Sequence, residues 1–330
     1  MTDKQICSRL RSEFSVVGFV LLAYYGVMNV AVILVATLQV TAELLPLLLG
    51  NIDDILTEQG IESILDSVLS NGWGYLLATL IGAGILLLWK KKRFCLHDIW
   101  TAEQPMTISR FFMILCLFLS AQALVQLVTA ALEWIFNLFG MSIMDSMESM
   151  TVSGDTLSMF LYMGLAAPFF EEILFRGFVL RTLEPYGKKF AILASAFLFG
   201  IFHGNLLQTP FAFAVGLILG YVTIEYSIGW AILLHLINNL ILGDALTRIS
   251  QLLPPWVGEL IFALVIWGSF LASVVIVLVK HRQIRQYFSG PKMHPLCLKS
   301  FFTSPGVLVL TGVMVFNIIL TLLLIIISQL

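Results

Sequence analysis

Charged residues are scarce in this sequence: only 12% of its 330 residues are Asp, Glu, Lys or Arg, against 59% that are hydrophobic. A soluble domain carries about 25% charged residues. The mean hydropathy of +0.97 agrees with this scarcity, which excludes a soluble globular protein and predicts a polytopic membrane protein. The basic run "KKKR" (90–93) is interpreted as a signal of membrane orientation and not as a nucleic-acid site, so membrane lipids and not nucleic acid are the expected surroundings.

Alternating apolar and polar residues are absent from the apolar runs, and cysteine is scarce. The apolar runs are continuous and do not alternate with polar residues, which excludes an outer-membrane barrel. Cysteine is rare, and Cys7, Cys95, Cys116 and Cys297 include no CxxC pair. We therefore expect free, reduced thiols and no disulfide framework.

Long apolar runs make up most of the chain. A spanning helix needs about 20 mostly apolar residues. Candidate spans lie near residues 14–42, 72–89, 111–139, 157–180, 190–206, 210–226, 228–246, 258–279 and 305–328. The predicted fold is an all-α, polytopic transmembrane helical bundle of about eight or nine spans.

Basic residues occur in alternate loops of this predicted bundle. The intervening segments 43–71 and 140–156 contain acidic residues but no Lys or Arg. The basic loops and termini contain Lys4, Arg9, Arg11, Lys90, Arg93, Arg110, Arg181, Lys188, Lys189, Lys280, Arg282, Arg285, Lys292 and Lys299. By the positive-inside rule the N-terminus is cytoplasmic, and nine spans place the C-terminus outside.

The stretch "APFFEEILFRGF" (167–178) places two glutamates and an arginine inside an apolar run. Each such group costs roughly 2.5 to 3.5 kcal/mol at the centre of a bilayer on insertion scales, so it needs a function or a partner. On a helix Glu172 and Arg176 share a face, while Glu171 points elsewhere without a charged neighbour. Glu171 therefore suits a general acid or base. The alternative is a structural ion pair with one interfacial glutamate.

Two later spans add ionisable groups. Phe199 and His203 share one helix face, and His235 and Asn239 share another. At about 1.5 Å per residue, both histidines fall in the same layer as Glu171, between the midplane and the cytoplasmic face. A buried histidine that only packs and forms a hydrogen bond is the alternative, but ionisable groups within a membrane are by default functional.

These residues supply the groups that amide hydrolysis requires. Glu171 and His203 could hold and deprotonate a water molecule, while His235 and Asn239 could donate to the developing oxyanion. Alternatively, Glu171, His203 and His235 are ligands of zinc. The HExxH metal motif is missing and asparagine is a poor zinc ligand, so we favour a mechanism without a cofactor.

The three motifs EExxxR, FxxxH and HxxxN, in this order between residues 157 and 246, resemble those of the CPBP family of intramembrane endopeptidases. This family is also called the CAAX protease and bacteriocin-processing family, or Abi. The resemblance implies a helical membrane bundle with a central, conical cavity open to the cytosol. It implies that Glu171 activates water with His203 and that His235 and Asn239 form the oxyanion site. Glu172, Arg176 and Phe199 are then supporting residues.

The resemblance divides the chain into N-terminal spans with an external amphipathic segment (1–150), a catalytic membrane core (151–250) and C-terminal spans (251–330). It implies an endopeptidase that acts on a membrane-associated or lipidated peptide or protein, and the compact loops favour a bacterial cell membrane. Three alternatives stay open: a zinc-dependent CAAX-type protease, a non-catalytic bacteriocin-immunity or scaffold protein, and a proton-coupled transporter. Buried Glu, His and Arg would serve a transporter as a proton relay.

Overall fold

A computed structural model describes residues 3–48, 57–96, 98–144, 156–290, 293–327 and 329 of the chain. These residues form helices and no strand, which confirms the predicted all-α class. Numbered in chain order, the helices are α1 (Asp3–Leu48), α2 (Glu58–Leu69), α3 (Trp73–Leu96), α4 (Ile108–Asn137), α5 (Leu157–Tyr186), α6 (Lys188–Phe202), α7 (Gln208–Glu225), α8 (Ile228–Gln251), α9 (Pro255–Ser289), α10 (Pro295–Phe302) and α11 (Pro305–Ile327). Two predicted features lie outside the described residues. One is the boundary at residues 150–151, and the other is the first part (51–56) of the amphipathic segment predicted at 51–70.

Eight stretches of the described chain are long and apolar enough to cross a membrane. They are Asp3–Leu45, Gly60–Leu86, Ile108–Asn137, Leu157–Tyr186, Gln208–Glu225, Ile228–Gln251, Pro255–Ser289 and Pro305–Ile327. The one predicted span that is not among these eight, 190–206, corresponds to α6, which has only 15 residues. A helix of that length extends about 22 Å, which is shorter than the roughly 30 Å of a hydrocarbon core.

Helix α6 nevertheless runs through the bundle. The Lys189 ammonium donates hydrogen bonds to the carbonyl oxygens of Phe288 and Gly290, at 2.9 and 3.1 Å, so the start of α6 lies beside the end of α9. Helices α7, α8 and α9 make three passes between these points, and α6 must supply a fourth. Ten of the twelve residues from Phe190 to Ile201 are buried, so surrounding protein and not lipid sets its length.

The loops that carry the basic residues meet on one face of the bundle, which we call the basic face. It is formed by residues 9–13, 98–110, 181–189, 225–227, 280–290 and 293–303, and two hydrogen bonds and one ion pair link its loops. The Arg11 side chain donates to Thr303 Oγ1 at 2.9 Å, Lys188 pairs with Glu103, and Gln104 donates to Glu225 at 3.0 Å. The alternation seen in the sequence is therefore an arrangement of loops on one side.

Helix α1 is held against α11 by direct backbone contact. A Cβ atom added to Gly18 would lie 2.2 Å from the carbonyl carbon of Gly306, so both positions have to be glycine. Close approach of this kind is the usual way in which small residues join membrane helices. The contact fixes the position of α1, whose middle part lines the cavity described below.

The positive-inside rule predicts that the basic face is cytoplasmic. In a background without the native cysteines, we expect an impermeant maleimide on intact cells to label a cysteine at the exposed position Ser63, on the opposite face. A cysteine at the exposed position Ala102, on the basic face, should react only after permeabilisation. The reverse pattern would place the basic face outside the cell.

Candidate active site

Helix α5 presents the two glutamates from an unusual backbone. A six-residue α-helical stretch, Ala167–Glu172, is flanked by the π-helical stretches Leu161–Ala166 and Ile173–Leu180. Isolated π-helical turns are rare and are frequently found at functional sites. The stretch that ends in Glu171 and Glu172 is thus offset on both sides from the regular helical spacing.

The Glu172 carboxylate is the centre of a buried network. The Arg176 guanidinium donates from Nη1 to Glu172 Oε1 at 2.9 Å, and His235 Nδ1 donates to the same oxygen at 2.9 Å. Both Glu172 and Arg176 are 0% exposed. The sequence predicts the pairing of Glu172 with Arg176, but it gives no indication that His235 of α8 joins the pair.

The hydrogen bond to Glu172 determines which His235 nitrogen carries a proton. An ionised carboxylate only accepts hydrogen bonds, so Nδ1 is protonated and Nε2 points towards the second glutamate. His235 Nε2 lies 3.8 Å from Glu171 Oε2. Glu171, which has no charged neighbour on its own helix face, thus has His235 of α8 beside it, because α8 packs against this part of α5.

The Phe199 ring is shared by three ionisable side chains. Arg176 Cζ lies 4.2 Å from the ring centroid, and the rings of His203 and His235 meet it edge to face at 4.9 and 5.9 Å. A cation over an aromatic face is attracted by the ring quadrupole, most strongly where water is excluded. Phe199 is 1% exposed, so it holds Arg176 and both histidines in place from the side of α6.

His203 lies at the end of α6. Its Nδ1 is 2.8 Å from the carbonyl oxygen of Phe199, and a carbonyl only accepts, so this nitrogen is the protonated one. Nε2 then keeps its lone pair in the neutral ring. Gly204 follows with φ +58, the left-handed conformation in which glycine commonly ends a helix, so the helix stops directly after the histidine.

Asn239 connects α8 to α5. It lies in the π-helical stretch Ile237–Ala245, and its Nδ2 donates to the carbonyl oxygen of Met163 at 2.9 Å. Its Oδ1 accepts from Asn238 at 3.0 Å, and Asn238 in turn accepts from Gln122 of α4 at 3.0 Å. Gln122 and Asn238 are not among the predicted site residues, although amide side chains inside apolar spans are a signal for such contacts.

A cavity of about 270 Å³ lies between α1, α3, α5 and α6. Its lining includes Glu171 and His203, but neither His235 nor Asn239. Helices α1 and α3 also contribute to the lining, and no motif in the sequence indicates this. The lining residues are Tyr24, Tyr25, Met28, Asn29, Val32, Tyr75, Thr79, Tyr162, Ala167, Phe170, Glu171, Leu174, Phe175, Phe199, Phe202 and His203.

The alternative zinc ligands Glu171, His203 and His235 do not form a metal-binding arrangement. In the described part of the chain, no group of three or more His, Cys, Asp or Glu side chains has the geometry to hold a metal ion. A zinc site would need three protein ligands at roughly 2.0 to 2.2 Å from one point. We therefore derive no chemical step through a metal.

The fold and the site together define a class: a polytopic helical membrane protein with a carboxylate and a histidine in a cavity between its helices, and a second histidine beside the carboxylate. Residues 153–241 match the family model described as type II CAAX prenyl endopeptidase Rce1-like. The matched segment contains every predicted site residue and confirms the resemblance stated from the three motifs. It also confirms the prediction of a membrane-embedded protease of the CAAX prenyl endopeptidase type. No curated protein and no solved structure matches the chain.

The buried pair of Glu172 and Arg176 should contribute to the stability of the protein. Arg176→Gln should destabilise the protein by about 3 to 5 kcal/mol, because it leaves the Glu172 charge buried with one partner fewer. Arg9→Gln is the matched control, since Arg9 and Glu13 have the same spacing but are 71% and 36% exposed. That change should cost about 0 to 1 kcal/mol. Thermal unfolding in detergent measures both, and equal losses would contradict the role of burial.

Proposed function

We propose that this chain hydrolyses a peptide bond in a membrane-associated peptide or protein, using water activated by Glu171. The observation that carries the proposal is the position of Glu171: it lines the cavity together with His203, and His235 is fixed beside it by Glu172. Glu171 is 31% exposed, whereas Glu172 is fully buried. The two adjacent glutamates thus have different tasks, one towards the cavity and one towards the protein.

Water activation follows from the spacing around Glu171. The 3.8 Å between Glu171 Oε2 and His235 Nε2 is too long for a good hydrogen bond, but one water molecule could contact both atoms. Glu171 would take a proton from this water while the water oxygen attacks the scissile carbonyl carbon. The proton then passes to the leaving amine as the carbon–nitrogen bond breaks. His203 Nε2, with its lone pair, offers a second acceptor for the water.

The developing oxyanion needs donors. We assign this role to His235 and Asn239. His235 Nδ1 donates to Glu172, so Nε2 can donate to the oxyanion when both ring nitrogens carry a proton. The Asn239 amide uses one hydrogen for the Met163 carbonyl and retains a second.

We propose lipidated peptides as substrates. The family model is named for prenylated CAAX proteins, in which the lipid is carried by the cysteine of the C-terminal CAAX sequence. A lipid anchor would hold the peptide at the membrane, where the apolar spans hold the enzyme. A bacterial cell membrane with a cytoplasmic N-terminus is the setting we propose.

Glu171→Gln tests the proposal directly. The substitution keeps the shape and the hydrogen bonding of the side chain but removes the proton acceptor, so turnover should fall by about 10² to 10⁴-fold. Purified protein in detergent, with a quenched fluorescent prenylated peptide of the CAAX form, provides the assay. The control Glu103→Gln changes a glutamate on the basic face and should leave turnover unchanged.

Unchanged cleavage in Glu171→Gln would exclude glutamate-activated water. If the wild-type protein cleaves no peptide, a scaffold or a transporter becomes the better assignment. Uptake by liposomes that depends on a proton gradient would then identify the transporter.

Treatment with a chelator separates the two protease mechanisms. Glutamate-activated water needs no metal, so we expect full turnover after exhaustive dialysis against EDTA, with no stoichiometric zinc in elemental analysis. A loss of turnover that zinc restores would assign Glu171, His203 and His235 as ligands instead. It would leave the protease assignment in place.

A further inference from the structure

Nearly half of the cavity wall comes from helices outside the segment that matches the family model. Helix α1 contributes Tyr24, Tyr25, Met28, Asn29 and Val32, and α3 contributes Tyr75 and Thr79. Tyr24, Met28 and Val32 are spaced four residues apart and so lie on one face of α1. The motifs on α5, α6 and α8 do not account for this wall, although it faces the same space as Glu171.

The wall has the composition of a binding site for an apolar group. Eight of the sixteen lining residues are Phe or Tyr, and Glu171 is the lining residue with a carboxylate. Tyr75 and Tyr162 are stacked with centroids 4.8 Å apart and planes at 23°, so each limits the movement of the other. Rigid aromatic faces bury apolar groups at little entropic cost. At about 270 Å³ the cavity is smaller than the roughly 300 to 1,000 Å³ of drug-sized sites.

One contact sets the position of the α1 side of this wall. A Cβ atom added to Gly82 of α3 would lie 2.2 Å from Cε2 of Tyr24 and 2.6 Å from Cδ2. The Tyr24 ring therefore lies directly on the backbone of α3, where only glycine leaves room. Gly74, Ala78 and Gly82 form a row of small residues at four-residue spacing, and Ala78 is 0% exposed. The row packs α3 against α1 and seats the ring.

We infer that α1 and α3 form the subsite for a large apolar side chain next to the scissile bond, and that Tyr24 seated on Gly82 sets its width. The inference rests on the proposed function and extends it to specificity. The cavity accommodates one side chain and not a whole lipidated peptide, since its volume is below that of a drug-sized site. The chemistry comes from α5, α6 and α8, and the choice of side chain comes from α1 and α3.

A pair of glycine variants tests the subsite. Gly82→Ala forces the Tyr24 ring away from α3, and the open space beside the ring is the cavity. The assay compares two prenylated CAAX-form peptides with Ala or Phe after the lipidated cysteine. We expect Gly82→Ala to lower kcat/KM for the Phe peptide relative to the Ala peptide by about tenfold or more. Gly84→Ala is the matched control, because an added Cβ there meets nothing within 4 Å.

A double variant distinguishes steric narrowing from general damage. Tyr24→Ala combined with Gly82→Ala removes the displaced ring and should restore cleavage of the Phe peptide relative to the Ala peptide. If Gly82→Ala acts by misfolding, the second change brings no recovery. An unchanged Phe to Ala ratio in folded Gly82→Ala protein would overturn the inference.

Photolabelling separates failure of the subsite from failure of the proposed function. In Glu171→Gln protein, a prenylated peptide with p-benzoylphenylalanine at the varied position should crosslink to residues 24–32 or 75–79, because binding does not need turnover. Crosslinks confined to other helices would contradict the subsite even if the wild-type protein cleaves the peptide. Crosslinks to these residues in a protein that never cleaves would keep the subsite and remove the protease chemistry.

Discussion

One oxygen of a fully buried carboxylate connects the three helices of the site. Glu172 Oε1 accepts from Arg176 on its own helix and from His235 on α8, and Arg176 lies over the Phe199 ring of α6. A charge held away from water is tolerated only while its partners remain in place. The positions of α5, α6 and α8 therefore depend on each other. Because Glu172 is fixed by this network, the position of the adjacent Glu171 is fixed as well.

The π-helical stretches show where this arrangement has a structural cost and how the cost is offset. A π-helical turn is rare and replaces the regular i→i+4 hydrogen bonds of the helix with i→i+5 bonds. The Met163 carbonyl, in the first π stretch of α5, accepts from Asn239, in the π stretch of α8. The two irregular segments thus support each other. In an apolar environment such an interhelical hydrogen bond replaces contacts that water cannot supply.

The sequence was sufficient for those parts of the site that depend on local spacing. Glu172 and Arg176 are four residues apart on one helix, so their pairing follows from helical geometry alone. The hydrogen bond from His235 to Glu172 joins residues 63 positions apart, and no spacing rule contains it. The π stretch that begins at Ile237 adds a second reason, because it changes the angle between His235 and Asn239 on α8.

The same limit explains two differences in the fold. Apolar runs reveal spans through their length, but α6 is enclosed by protein, and its 15 residues cross the bundle without matching the thickness of lipid. The tyrosines of α1 and α3 are uncharged and ordinary in membrane helices, so nothing in their pattern distinguishes a cavity wall from a packed interface. Only the packing of α3 on α1 through Gly82 shows which of the two they form.

The cavity wall comes partly from helices inside the matched segment and partly from helices outside it, so the family match covers only part of the wall. The matched segment, 153–241, contains Glu171, His203 and His235, to which we assign the proposed chemistry, and these residues lie on α5, α6 and α8. The matched segment does not contain Tyr24, Tyr75 or Gly82, which shape the opposite side of the same cavity. A protein with the same core and different residues on α1 and α3 would keep the hydrolysis and select another side chain. The backbone contact between Gly18 and Gly306 holds α1 in place, so selection depends on side chains presented by a fixed helix.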